Sequence, residues 1–190
     1  MPLSKPVARK KIHRRNIDSQ GFLREDGLWD IETRLIDTKA EMTHALERGE
    51  IEAGVPLHDI SLRLTIDSTL TIKDIEASTD LAPMNACSDP NPWYKKLVGE
   101  KIEAGWRNKV KTMFAGVTGC THLNDMLTIA AATAFQTVYP WHLQQSINRG
   151  GKEKAFRYVA GMMLNSCHGF SEKGEMISSH WPDLTAKDKQ

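Results

Sequence analysis

The sequence predicts an α+β protein in which a small antiparallel sheet with a hairpin packs against helices. In residues 60–78, ISLRLTIDSTLTIKDIEAS, apolar residues alternate over two runs separated by Asp67-Ser68-Thr69, as in a hairpin with one buried face. Residues 120–139 show the spacing of a buried helix face, with apolar side chains at Leu123, Met126, Leu127, Ala130, Ala131, Ala134, Phe135 and Val138. The strand-like segments come first and the helical ones follow, which favours the α+β class.

Weaker patterns complete the predicted secondary structure. Residues 22–41 alternate in places on both sides of the turn dipeptide Asp26-Gly27, which indicates an earlier hairpin. Residues 79–97 are rich in proline and predict a loop. Residues 152–164 predict another helix, and Pro140 is expected to stop or kink the helix before it.

Charge and spacing divide the chain into three predicted regions. Residues 1–20 form a basic N-terminal arm, because seven Lys, Arg or His residues fall between positions 5 and 15 with almost no apolar pattern. We expect Lys10, Lys11, Arg14 and Arg15 to be solvated or bound to a second subunit. Residues 21–170 are expected to form one domain, and residues 171–190 a C-terminal tail.

The composition excludes several classes of partner. The formal net charge of the 190 residues is +1, which predicts no nucleic-acid binding. No apolar run approaches the roughly 20 residues of a membrane-spanning helix, so no membrane is expected. Three cysteines, an odd number spread widely along the chain, favour reduced thiols and a cytoplasmic location. A homo-oligomer stays open.

The stretch GVTGCTHLND, residues 116–125, places Cys120 and His122 at the expected start of the long helix. A helix N-terminus favours negative charge and therefore a thiolate. Three interpretations stay open: a structural cap, half of a metal site, or a nucleophile beside its base.

Further candidates flank other predicted elements. His58 and Asp59 precede the hairpin, Cys87 lies in the proline-rich loop, and Cys167-His168 follow the last helix. Each alone is more readily structural than functional, but a layer of sheet on helices could gather them. Zinc, the expected ion if a metal binds, takes three or four such ligands. The predicted site residues are therefore His122, Cys120 and Asp59 for catalysis, His58, Cys87 and Cys120 for metal, and Cys167, His168 and Trp106 as further pocket candidates.

Most of residues 13–169 resemble the domain-of-unknown-function family 2889. The matching segments are HRRNID, DGLWDIETRLIDTK, LHDISLRLTID, IEASTDLAPMNAC, LVGEKIEAGW, GVTGCTHLND and NSCHG. GVTGCTHL, a Gly-Cys-Thr-His-Leu stretch that opens a helix, is the most specific of them.

A more remote resemblance is to the NifU/SufU type of iron–sulfur scaffold and zinc-bound sulfurtransferase. It implies that His58-Asp59 stand where that fold has a cysteine-glycine-aspartate, and that Cys87 and Cys120 match its second and third ligand positions. An imidazole in place of the first thiolate fits a mononuclear metal site better than a cluster scaffold, since clusters are mostly held by thiolates.

The family resemblance implies an enzyme of aromatic or acyl-thioester breakdown. The most concrete expectation is a lyase that cleaves a carbon–carbon bond in a small aromatic or acyl substrate, as in deformylation or decarboxylation, with loss of formaldehyde or carbon dioxide and with His122 as the base. Such a reaction needs a base and a group that holds the developing charge. The alternative is a non-catalytic zinc or sulfur carrier of the SufU type, and a third class is a binding module with inert cysteines.

Overall fold

Four antiparallel strands form the main sheet of the computed structural model, which describes residues 3–184. Their spatial order is β1-β2-β5-β6, with bounds His13–Leu23, Trp29–Lys39, Pro56–Ile66 and Ile72–Leu81. A separate two-stranded sheet pairs β3, Thr43–Ala45, with β4, Gly49–Ile51. The predicted α+β class with a small antiparallel sheet packed with helices is confirmed.

The strongly alternating hairpin is confirmed as β5 and β6. Their inward residues form the centre of the core, where Ile60, Leu62 and Leu64 are at most 2% exposed. In the turn, the Asp67 carboxylate accepts hydrogen bonds from the backbone N–H groups of Thr69 and Thr71, at 2.8 and 3.0 Å. The side chain of Asp67 also lies 2.8 Å from the Lys73 ammonium group.

The earlier hairpin around Asp26-Gly27 is also confirmed, with Gly27 at a φ of 81°. It is longer than the sequence pattern indicated, because its first strand begins at His13. Residues 13–20 of the expected arm form part of this strand. This strand lies at the edge of the sheet and is mostly exposed. Backbone hydrogen bonds to β2 hold it in place, since it buries no apolar stripe.

The structure of residues 3–184 contains four α-helices: α1 is Trp106–Met113, α2 is Thr121–Gly150, α3 is Lys152–Met163 and α4 is Glu175–His180. Two of the four helices, α2 and α3, lie where the sequence predicts helices. Pro140 lies inside α2, so of the two expected effects, a stop or a kink, the stop is wrong, since the loss of one backbone hydrogen bond leaves the rest of the helical ladder. The kink stays a prediction. None of the helices in residues 3–184 combines the length and the apolar character needed to cross a bilayer.

Two predicted non-helical segments contain short helical elements. The proline-rich loop includes the 3-10 helices Asn85–Ser88 and Asn91–Leu97. The expected tail contains α4, which is anchored by the fully buried Ile177. A single buried residue produces no helical periodicity in the sequence, so the sequence pattern does not predict this helix. Residues 185–190 of the expected tail, and residues 1 and 2 of the expected arm, lie outside the described residues.

The chain divides into two compact units, Met1–Ala134 and Phe135–Gln190. The first contains both sheets, α1 and the beginning of α2. In its core, α1 contacts α2 through Trp106, whose indole N–H donates to the Leu127 carbonyl at 3.1 Å. The second contains the remainder of α2 together with α3 and α4.

We expect Asp67→Ala to lower the free energy of unfolding by about 1.5–3 kcal/mol at neutral pH, since the hydrogen bonds it removes go to a charged group. Burial raises the pKa of Asp67, but Lys73, Thr69 and Thr71 outweigh it, and the pKa falls well below its usual 3.8. A lowered carboxyl pKa stabilises the fold above 3.8, and this stabilisation is lost as the pH falls through the folded-state pKa.

Denaturant unfolding of wild type and variant at about pH 7 and about pH 2 measures this dependence. The difference between the two proteins should shrink in acid. Asp89→Ala is the matched control, because Asp89 is an exposed aspartate whose carboxylate makes no hydrogen bond in the described structure. Equal stability of Asp67→Ala and Asp89→Ala at neutral pH would contradict the assigned turn.

Candidate functional site

Three polar side chains form one row across the sheet. Arg15 of β1 pairs directly with Asp37 of β2, and Asp37 pairs directly with His58 of β5. Residues opposite one another on antiparallel strands project to the same face. This is the inward face of the sheet, because Leu35, two residues before Asp37, is fully buried. His122 reaches the same place from the first turn of α2. These four residues, Arg15, Asp37, His58 and His122, are called the carboxylate cluster below.

Asp37 is the centre of the carboxylate cluster and is only 1% exposed. Arg15 binds both of its oxygens, with Nε 2.8 Å from Oδ1 and Nη2 2.7 Å from Oδ2. The Nε2 atom of His13 lies 3.3 Å from Oδ1. A buried carboxylate needs such a partner, since desolvation penalises an unpaired charge, and a bidentate guanidinium is the strongest one that a side chain offers.

Two imidazoles lie against the other side of Asp37. Nδ1 of His58 is 3.1 Å from Oδ2, and Nε2 of His122 is 3.9 Å from the same oxygen. The ring centroids of the two histidines are 4.2 Å apart, at an interplanar angle of 43°. The opposite nitrogen of His122, Nδ1, lies 3.9 Å from Sγ of Cys120. The second histidine therefore connects the carboxylate with the thiol.

The hydroxyl of Tyr94 fixes the start of α2 and so the position of His122. It accepts the N–H of Cys120 at 2.9 Å and donates to Oδ1 of Asn124 at 2.8 Å. Burial raises the pKa of this phenol to about 12, so it remains a donor at neutral pH. Asn124 in turn donates to the carbonyl of Phe114 at 2.9 Å.

Gly119 is required by the same close packing. A Cβ atom there would lie 2.6 Å from the Cβ and 2.7 Å from the carbonyl oxygen of Phe114. The backbone of Gly119 is extended, so the requirement is space. The glycine of the Gly-Cys-Thr-His-Leu stretch therefore has a structural role.

The electrostatics of the cluster keep Asp37 ionised and both histidines neutral. Burial alone would raise the pKa of Asp37, but the hydrogen bonds and charge of Arg15 outweigh it and lower the pKa below 3.8. Burial, followed by the neighbouring His122, lowers the pKa of His58. Burial, followed by the charge of Arg15, lowers the pKa of His122. At neutral pH the cluster therefore contains an anion, a guanidinium cation and two imidazoles with free lone pairs.

Asp37, His58 and His122 could also hold a metal ion, since one ligand atom from each lies within 4.8 Å of the others. Zinc bonds of about 2.0–2.2 Å to nitrogen and oxygen place neighbouring ligand atoms about 3–4 Å apart, and the separations of 3.1 and 3.9 Å around Oδ2 fit that spacing. The guanidinium nitrogen 2.7 Å from Oδ2 works against this use, because an ion there would be repelled by Arg15.

The structure brings together some of the predicted site residues. His58 and His122 belong to the cluster and Cys120 touches it. The group of potential metal ligands found in residues 3–184 does not include Cys87 or Cys120, so of the three predicted ligands only His58 belongs to it. Cys87 lies half-buried in the 3-10 helix Asn85–Ser88.

The remaining predicted residues lie elsewhere. Asp59 follows His58 directly and therefore projects to the opposite face of β5, where Arg34 binds both of its oxygens at 2.8 and 2.7 Å. Trp106 is a core residue, only 6% exposed. Cys167 and His168 lie in the second unit, Phe135–Gln190.

Sequence reasoning missed Asp37, Arg15 and His13. The sequence does contain a signal for Asp37. The alternating residues Ile31, Thr33 and Leu35 predict that position 37 also faces inward, where a charged residue is unexpected. A charged residue in such a place needs a buried partner. Arg15 and His13 carried no comparable signal, since the strand that holds them has no apolar alternation.

The family described as "Protein of unknown function (DUF2889)" matches residues 13–136, which include every residue of the carboxylate cluster. The chain belongs to this family. No curated protein and no solved structure matches the chain. The family membership expected from the Gly-Cys-Thr-His-Leu stretch is confirmed, and the likeness to the NifU/SufU fold stays a prediction.

We expect both cluster histidines to titrate below the ordinary value of 6.5. Carbon-bound imidazole protons followed by NMR across about pH 4–8 measure each value, and His58→Gln and His122→Gln assign the signals. The same protons of the protein unfolded in denaturant give the reference titration. Values at or above 6.5 for the cluster histidines would contradict the described burial.

The same shift predicts how stability depends on pH. When the pKa of a histidine is lower in the folded state, the unfolded chain binds the proton at a higher pH than the folded protein does. The stabilising contribution of such a histidine is therefore complete above 6.5 and declines as the pH falls through the folded-state value. Replacing either histidine with glutamine should flatten this decline in denaturant unfolding.

We expect Gly119→Ala to destabilise the protein by about 1–3 kcal/mol, the usual cost of forcing an extra carbon into packed surroundings. Gly161→Ala is the matched control, since a Cβ there meets only Leu184 Cδ2 at 3.8 Å in the helical interior of α3, where alanine is the better residue. Thermal or denaturant unfolding of both variants decides the comparison, and equal effects would contradict the packing assigned to the motif.

Proposed function

We propose that the carboxylate cluster is the acid–base centre of an enzyme. The observation that carries the proposal is the hydrogen-bonding distance from a buried, ionised Asp37 to Nδ1 of His58. A carboxylate accepts and never donates when ionised, so Nδ1 carries the proton and Nε2 keeps its lone pair. A neutral imidazole oriented by a carboxylate is the commonest general base of enzymes.

The second imidazole supplies a partner for a shuttled proton. His122 lies against both His58 and Asp37, and its Nδ1 atom is within sulfur hydrogen-bonding distance of Cys120. Arg15 is 38% exposed at its side chain, so this residue is reachable from solvent. The cluster therefore combines a base, a second proton carrier and a cation for developing negative charge.

These groups suit cleavage of a carbon–carbon bond in a small aromatic or acyl substrate. In a deformylation, His58 removes the proton of a hydroxymethyl group, and formaldehyde leaves as the bond to the neighbouring carbon breaks. That carbon keeps the electron pair beside Arg15 and then takes the proton back from the imidazolium. No oxidant is consumed, and the products are formaldehyde and the shortened substrate. Decarboxylation is the related reaction for a carboxylate substrate.

The alternative proposal is a zinc or sulfur carrier. Its support is the spacing of Asp37, His58 and His122, which fits zinc, and the adjacent thiol of Cys120 could accept sulfur. The bidentate contact from Arg15 to the shared carboxylate favours the acid–base proposal. Metal content of protein purified without chelator separates the two, because a carrier requires about one zinc per chain. Sulfur transfer from a cysteine desulfurase tests the carrier directly.

We expect His58→Gln and His122→Ala each to lower turnover by roughly 10²–10⁴-fold, the contribution of a general acid or base. Cys120→Ser should also abolish function if the thiol reacts, with about 1 kcal/mol of stability lost. The assay follows formaldehyde or carbon dioxide release from a panel of small hydroxymethyl and carboxyl aromatic or acyl compounds.

His44→Ala is the control for removing a histidine far from the cluster, since His44 is exposed and contacts Glu50. Thermal melts of the same variants separate lost chemistry from lost folding. Well-folded His58 and His122 variants with wild-type turnover would remove the cluster from the mechanism.

A further inference from the structure

A cleft of ≈ 640 Å³ opens within the first unit, between β1, α1 and the first turns of α2. Its volume is in the range of small-molecule sites. Ile17, Val110 and Ile129 contribute apolar walls. Such walls suit an aromatic ring or an acyl chain, which gains from leaving water.

The cleft adjoins the carboxylate cluster. Ile17 lies two residues after Arg15 on the same face of β1. Asp125, which also lines the cleft, places its Oδ2 atom 3.9 Å from Nη1 of Arg15. Through Asp125 the cleft therefore lies next to the Arg15 guanidinium, and so next to the edge of the cluster.

Two cations of α1, Arg107 and Lys111, line the cleft without an ion-pair partner in residues 3–184. They are four residues apart and lie on the same side of the helix, where like charges repel one another. Lys109 of the same helix is instead paired with Glu100. An unpaired pair of cations beside an apolar wall is a site for an anion with an apolar body.

We propose that this cleft binds the carboxylate end of an aromatic or acyl acid through Arg107 and Lys111, and directs its reactive end toward Arg15. The proposal rests on the proposed function, because it names the substrate class of the same site. The acid's apolar body lies against Ile17, Val110 and Ile129. The carboxylate in the cleft is a recognition group, distinct from the group that reacts at the cluster.

The test is an NMR titration with benzoate and hexanoate, followed through the backbone amides of residues 107–116 and 124–129. Benzamide, which has the shape of benzoate without the charge, and phenyl phosphate are the comparison probes. We expect saturable shifts with both carboxylates, weakening as salt is added, and no saturable shifts with benzamide. The double variant Arg107→Ala/Lys111→Ala should raise the Kd for benzoate at least about tenfold, the effect of losing about 1.4 kcal/mol.

The matched control is Arg9→Ala/Lys96→Ala, which removes one arginine and one lysine from exposed positions outside the cleft; it should bind benzoate as wild type does. Equal affinity of the cleft double variant and the control would overturn the proposal, as would equal binding of benzamide and benzoate or absence of carboxylate binding to the wild type. Saturable binding of phenyl phosphate alone would replace the carboxylate with a phosphate and overturn the stated class.

The outcome is independent of the acid–base chemistry. His122→Ala should still bind benzoate in this titration even if it abolishes turnover, and the cleft double variant should keep the histidine titrations of the wild type. Loss of benzoate binding in the cleft variant, with unchanged histidine titrations, supports the cleft whatever the turnover assay shows. The proposed function would instead be contradicted by histidine variants that keep the turnover of the wild type.

Discussion

The ion pair between Arg15 and Asp37 is the contact on which the site depends. It holds an ionised carboxylate at a position that is 1% exposed, and the removal of one member of such a pair is far more costly than the net worth of the pair, because the other charge is left buried alone. It also ties β1, an edge strand without a buried side chain, to its neighbour β2. The orientation of His58 follows from it, since the imidazole bonds to the same carboxylate.

Local patterns in the sequence were enough for the elements with strong periodicity. The β5–β6 hairpin and α2 each bury a regular apolar stripe, so alternation or helical spacing identified them. Residues 13–21 of β1 were not predicted as a strand. The backbone hydrogen bonds that pair this strand with β2 place no requirement on the type of its side chains. The short helix α4 was not predicted, because a single buried isoleucine produces no helical periodicity.

The site was predictable only in part for a related reason. His58, Cys120 and His122 were selected by residue type and by their place at the ends of elements. Their grouping depends on strand register, which sets Arg15, Asp37 and His58 in one row, and register is a long-range property. Asp59 illustrates the limit: it is adjacent to His58 in sequence, yet the pleat sends the two side chains to opposite faces. Cys87 was assigned to the predicted metal site because of its position in the loop after the hairpin. A position in a loop does not determine how far the side chain lies from the other ligands.

The placement of β1 has a consequence for aggregation. It covers one edge of β2, a strand in which Trp29, Ile31 and Leu35 are all buried, while β1 itself presents mainly charged and polar side chains to solvent. Charged residues on an outermost strand discourage another chain from adding to the sheet. If β1 peels away, the newly exposed edge belongs to an apolar, alternating strand with free backbone donors and acceptors. The polar strand that carries Arg15 therefore also shields an alternating strand with a buried apolar face from pairing with another chain.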